Sequence, residues 1–131
     1  MTLKSAVITG GTRGIGRNIT EAFVDAGYYV VVGARNELDL KSKFSDQFEY
    51  VSVDVRDERS HKLLVEAAIK KTGKLDVYIN NAGYSAWRPI SEIDEDFFDN
   101  LINTNLKGAF WGCKAAAEVM TEGSSIINIS S

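Results

Sequence analysis

The feature that most constrains this chain is an alternation: short β-branched apolar runs recur between longer segments whose apolar residues fall at helical spacing. The run Ala6–Thr9 (AVIT) predicts a first strand, ended by Gly10-Gly11. Ile15, Ile19, Ala22, Phe23 and Ala26 then recur at helical spacing, with Gly27 as the stop. Tyr28–Gly33 (YYVVVG) is apolar almost throughout, as a strand buried on both faces of a parallel sheet must be. A short polar helix around Leu38–Phe44 leads to a third predicted strand, Phe48–Val53. Asp57–Thr72 predicts a helix with Leu64, Val65, Ala68 and Ile69 on one side and Gly73 past its end. A fourth strand is predicted at Leu75–Asn80, followed by a loop holding Gly83 and the only proline, Pro89. From about Asp94 to Met120 the spacing of Phe97, Phe98, Leu101, Asn105, Phe110 and Cys113 predicts one long amphipathic helix, and SSIINISS supplies a fifth strand at residues 125–129.

Strands that alternate with helices form a parallel sheet, because each right-handed crossover returns the chain to the same edge direction. The expected fold class is α/β: a three-layer doubly wound parallel sheet, truncated after its fifth strand. The 131 residues suit one domain. A net charge of −3 supplies no basic footprint for nucleic acid or an anionic membrane, and no apolar run approaches the roughly 20 residues that cross a bilayer. With one cysteine, Cys113, and one histidine, His61, neither a disulfide nor a metal site is expected, and the opening MTLKSAVITG lacks the pattern of a signal peptide. A reduced, cytoplasmic protein is the expectation.

The segment Thr9–Gly16 (TGGTRGIG) falls between the first strand and the first helix. Glycines there permit positive φ and close approach of a ligand to the backbone, while the helix beginning beside Gly14 directs free N–H groups and its positive dipole end to the same point. Gly10, Thr12, Arg13, Gly14, Ile15 and Gly16 therefore read as a pyrophosphate cradle. Ligands on doubly wound sheets bind outside the carboxyl ends of the strands, and two further landmarks lie there: Asp54-Val55 after the third strand and Asn80-Asn81-Ala82-Gly83 after the fourth.

The glycines at 10, 14 and 16 do not have the common G-x-G-x-x-G spacing; they match T-G-x-x-x-G-I-G. Together with Asp54-Val55, NNAG and the asparagine of INTNLKGAF, this pattern resembles the short-chain dehydrogenase/reductase family, and the resemblance runs from Thr9 to Ser131. It implies a Rossmann fold and a dinucleotide cofactor. It also implies that Asp54 meets the adenine with Val55 beside it in the cofactor site, that Asn81 meets the ribose region, where the small Ala82-Gly83 stretch lets the ribose pack on the backbone, and that Asn80 ties neighbouring strands together. NADP is favoured over NAD. The second strand ends VVVGARN, with Ala34 where family NAD enzymes tend to carry an acid that would repel a 2′-phosphate. Arg35 follows directly and Arg13 stands in the phosphate loop, two guanidiniums suited to one phosphate; Glu37 comes one turn too late to oppose them.

Family members pass a hydride between the nicotinamide and a carbonyl or alcohol carbon. The resemblance places the asparagine that holds a water in the proton path at Asn105, predicted to be buried and hydrogen-bonded. It places the serine that bonds the substrate oxygen at Ser131, since Ser130 would face the opposite way. No tyrosine here has lysine four residues on; Tyr84 and Arg88 are the nearest mimic, in a loop. The residues alone are thus expected to bind cofactor without turning over. The alternative is a non-catalytic NADP-binding or regulatory module, while a flavodoxin-like protein would share the topology without these motifs. The resemblance further implies a small carbonyl or alcohol substrate and a homo-oligomer, for which Phe97, Phe98, Phe110 and Trp111 offer more apolar surface than one core face needs. Standing alone, the isoleucine-rich fifth strand would be an open edge that invites aggregation or pairing.

Overall fold

A computed structural model describes residues 3–36 and 46–130. The short helix expected around Leu38–Phe44, Glu37 and Ser131 lie outside those described residues. Among the described residues there are five strands: β1 (Ser5–Thr9), β2 (Tyr29–Ala34), β3 (Phe48–Ser52), β4 (Val77–Asn80) and β5 (Ser125–Asn128). They form one sheet in the order β3-β2-β1-β4-β5, and every neighbouring pair is parallel. The chain winds outward from β1 to β3, then crosses back to β4 on the other side of β1. The switch point therefore lies between β1 and β4.

Among the described residues four α-helices accompany the sheet: α1 (Gly14–Asp25), α2 (Glu58–Thr72), α3 (Glu95–Ile102) and α4 (Gly108–Ala117). On one face Ala6, Ile8, Val30, Val32, Val77 and Ile79 pack with Val24, Ile19 and Phe23 of α1. On the other, Val7, Val31 and Tyr78 pack with Leu64, Val65 and Ala68 of α2 and with Ala115 and Ala116 of α4. Alternate residues of β1 and β2 thus feed two cores, which is why both strands are apolar almost throughout. The result is the three-layer α/β fold that the alternation predicted.

The helix expected at Asp57–Thr72 forms, with Asp57 as its cap: the Asp57 carboxylate accepts from the Arg59 N–H at 3.0 Å, and Gly73 closes the other end. The single helix expected from about Asp94 to Met120 does not. Residues Asn103–Lys107 form a π turn between α3 and α4, and α4 ends at Ala117. One inserted residue rotates the following side chains by about 100°. Before the turn, on α3, Phe97 is buried under the loop after β4 and Phe98 (54% exposed) faces outward; beyond the turn, Phe110 (60%) faces outward as well. These two were counted among the apolar positions of the helix, and they stand outside the core. β5 lies at the sheet edge, where Ile127 and Ile129 remain partly exposed. Among the described residues no helix is long and apolar enough to cross a membrane.

Candidate functional site

A cleft of about 670 Å³ opens at the carboxyl ends of β1, β2, β3 and β4. Its walls contain the whole predicted phosphate loop, namely Gly10, Thr12, Arg13, Gly14, Ile15 and Gly16. They also contain Arg35 after β2, Asp54 and Val55 after β3, and Asn81, Ala82 and Gly83 after β4. Residues distant in sequence meet here because parallel strands present all their carboxyl ends to one side.

The loop between β1 and α1 has little freedom. Gly10 has φ 68°, donates its N–H to the Gly33 carbonyl at 2.7 Å, and accepts at its own carbonyl from the Asn81 side-chain amide at 3.2 Å. A Cβ on Gly16 would run into that Gly10 carbonyl oxygen and the Asn81 amide nitrogen, so no side chain is tolerated at 16. Arg13 is the N-cap of α1 and gives no side-chain cap, and the first backbone bond of the helix comes from Arg17 N–H to the Arg13 carbonyl at 3.1 Å. The amides of residues 14–16 thus precede the helical ladder and face the cleft with the positive end of the dipole. Thr9 was not singled out beforehand, yet it holds the opposite wall. Its buried hydroxyl accepts from both the Asn81 and Ala82 N–H groups at 3.0 Å.

Arg13 and Arg35 are both exposed on the cleft walls, and among the described residues no carboxylate lies within ion-pair distance of either. At the adenine end expected from the resemblance, Asp54 is not free: its carboxylate grips Arg56, with Nη2 to Oδ2 at 2.6 Å and Nε at 3.0 Å from Oδ1. The Arg56 guanidinium holds the Asp54 carboxyl below the usual carboxylate range. Arg56, Asn100 and Thr104 line the cleft, and sequence reasoning passed over all three. An Asx turn, in which Asp54 accepts from the Arg56 N–H at 3.0 Å, was the one local signal that pointed to Arg56.

Asn105 sits in the π turn and is exposed, where burial was expected. Its amide nevertheless bonds at both ends to one partner: Oδ1 accepts from the Tyr84 N–H and Nδ2 donates to the Tyr84 carbonyl, each at 2.7 Å. The π turn carries it out of the buried helix face and toward the loop after β4. Tyr84 packs edge-on against Phe97, and the Arg88 guanidinium lies 4.4 Å from the same ring, so this loop rests on α3. Trp87 is exposed. Asn80 does link strands, donating from Nδ2 to Asn128 Oδ1 on β5 at 2.9 Å.

Under the cleft floor, His61 is fully buried and hydrogen-bonded at both ring nitrogens. The Val55 carbonyl, 2.8 Å from Nε2, can only accept, so Nε2 carries the proton. Nδ1 then accepts from the Tyr78 hydroxyl at 2.6 Å. Burial pushes the His61 pKa down and the Tyr78 pKa up, so both stay neutral.

A profile described as short chain dehydrogenase matches residues 4–131. The chain belongs to that family. It is 33% identical to the 3beta-hydroxysteroid dehydrogenase 2 of Eggerthella lenta, over 98% of this chain and 53% of that protein. It is 35% identical to the 3-oxoacyl-acyl-carrier-protein reductase of Staphylococcus aureus, over 98% of this chain and 56% of that protein. Among solved structures, a short-chain dehydrogenase from Streptomyces avermitilis superposes with a TM-score of 0.91 at 32% identity, covering all of this chain and 50% of that one. The chain therefore spans about half the length of the short-chain dehydrogenases that it matches, as their N-terminal portion. Those relatives are dehydrogenases and reductases, and the family binds NAD or NADP.

Proposed function

We propose that this chain is the cofactor-binding portion of an NADP-dependent oxidoreductase that moves a hydride between the nicotinamide and a small carbonyl or alcohol substrate. The observation that carries the reading is the cleft itself, where the amides at the start of α1, the glycine approach at 16 and two arginines with no ion pair among the described residues meet at the strand ends. A diphosphate fits the amide cradle around residues 10–16, for which a Cβ on Gly16 would leave no room. Arg35, with Arg13 across the loop, suits a 2′-phosphate by charge-assisted bonds, and Ala34 at the end of β2 offers no acid to repel it. When bound, the dinucleotide supplies the hydride acceptor or donor.

The roles of the protein's own groups follow from that placement. Asp54 and Val55 flank the base end, while Asn81, Ala82 and Gly83 border the ribose region. Asn105 keeps one N–H and one lone pair beyond its two bonds to Tyr84, enough to hold a water. Ser131 would bond the substrate oxygen. Because no tyrosine of these residues is followed four positions on by lysine, the chain by itself binds cofactor without catalysing turnover. Self-association through the exposed Phe98, Leu106 and Phe110 of the α3–α4 region completes the proposal.

Calorimetric titration of the chain with NADPH and with NADH tests it. NADPH is expected to bind at least tenfold more tightly, with the difference collapsing in Arg35→Ala. Equal affinity refutes the NADP assignment, and binding of neither dinucleotide refutes the cofactor site.

A further inference from the structure

The base end of the cleft carries a feature that the family resemblance does not anticipate. Asp54 lies where a carboxylate would accept from the 6-amino group of adenine, yet both of its oxygens are engaged by Arg56. Oδ1 takes the Arg56 backbone N–H and Nε, each at 3.0 Å; Oδ2 takes Nη2 at 2.6 Å and Nε at 3.1 Å. The guanidinium is pinned from a third side as well, donating from Nη1 to the Asn100 Oδ1 at 3.3 Å. Asn100 reaches the site from α3, 44 residues along the chain, so the arrangement is tertiary and not merely a property of the Asp-Val-Arg turn.

We propose that Arg56 determines how the base is read: clamped by Asp54 and Asn100, it presents N–H donors to the purine edge in place of the carboxylate acceptor, so the site does not select the 6-amino group. The inference rests on the dinucleotide reading given above. A guanidinium has five N–H donors and no acceptor. Nε and one hydrogen on each terminal nitrogen are committed to Asp54 and Asn100, which leaves one N–H on each terminal nitrogen for a ligand. Those donors suit ring nitrogens or a 6-oxo group and gain nothing from a 6-amino group. Exchanging Arg56 for the base gives up a bidentate charge-assisted pair, weakened by solvent because both side chains are more than a third exposed, for a single neutral bond. The lowered Asp54 pKa keeps the carboxylate ionised, and the clamp intact, through neutral pH.

The experiment compares reduced nicotinamide adenine dinucleotide phosphate with its hypoxanthine analogue, in which a 6-oxo group replaces the 6-amino group. Dissociation constants are measured by fluorescence titration on this chain and on Arg56→Ala, with circular dichroism confirming the fold of the variant. The parent is expected to bind the two within about threefold of each other. Arg56→Ala frees the carboxylate and is expected to favour the adenine form by tenfold or more, and Arg56→Gln, which cannot form the fork, should behave alike. A tenfold adenine preference in the parent overturns this inference alone. So does a ratio that stays unchanged in both variants. Failure of the parent to bind either compound overturns the dinucleotide reading, and this inference with it.

Discussion

Replacing Gly16 with alanine sets two effects of opposite sign against each other. Position 16 lies in the first turn of α1, where alanine is favoured over glycine by up to about 1 kcal/mol. Against that gain, the new Cβ overlaps the Gly10 carbonyl oxygen and crowds the Asn81 amide. Neither neighbour moves cheaply. Gly10 is tied to Gly33 at 2.7 Å and to Asn81 at 3.2 Å, and displacing it forfeits at least the second bond, about 1 kcal/mol. Overpacking against fixed backbone adds about 2 kcal/mol. The net expectation is a loss of about 2 kcal/mol. With an unfolding entropy of about 2.1 cal/mol/K per residue, a chain of 131 residues shifts its midpoint by about 4 °C per kcal/mol, so Tm should fall by about 7 °C. NADPH affinity should drop at least tenfold, since the start of α1 and the Gly10 loop can no longer approach each other. Gly14→Ala is the control: φ there is 58° with nothing within 4 Å, so strain of about 1–2 kcal/mol arises without a collision. Thermal melting followed by circular dichroism reads both variants. A Gly16→Ala protein that melts at or above the parent temperature would show that helix propensity wins and that the close approach is not a constraint.

Three further outcomes are expected. His61 is neutral in the fold with its pKa below the ordinary 6.5, and it takes up a proton on unfolding. Stability is therefore full above that ordinary value and declines as pH falls through the window beneath it, by up to about 1.4 kcal/mol per pH unit. Between about pH 7.5 and pH 5.5 the Tm of the parent should fall further than that of His61→Gln, and equal falls would contradict the buried neutral imidazole. Thr9→Val keeps the shape but leaves the Asn81 and Ala82 amides without their acceptor, and urea unfolding should show a loss of about 2 kcal/mol; a change below about 0.5 kcal/mol would remove Thr9 from its bracing role. Asn105→Leu breaks both bonds to Tyr84, so limited proteolysis should cut faster in the loop at residues 84–88, and an unaltered rate would show that packing on Phe97 holds the loop by itself.

The parallel sheet was legible because its signals are local. AVIT and YYVVVG are apolar on both alternations, and such strands require cover on both faces, which the intervening periodic helices supply. The cleft was legible for a related reason. Motifs at the ends of successive parallel strands must meet, and the glycine loop at residues 10–16, Arg35, Asp54-Val55 and Asn81-Ala82-Gly83 all line one space. The long helix was read less well. Periodicity over Asp94–Met120 cannot reveal one residue too many in a turn: the π turn at Asn103–Lys107 exposes Asn105, while Phe98 before it and Phe110 after it both stand outside the core.

By itself, the order of residues determined the layer architecture, the position of the glycine loop between β1 and α1 and the family, since each depends on spacing within a strand, a turn or a helix. Only the tertiary structure decided the partners of the side chains at the rim. Asp54 meets Asn100 through Arg56, Asn105 meets the Tyr84 backbone, and Thr9 braces residues 81 and 82 across the switch point. Those contacts join segments more than twenty residues apart, and their geometry depends on how strands and helices pack after the pattern has been satisfied.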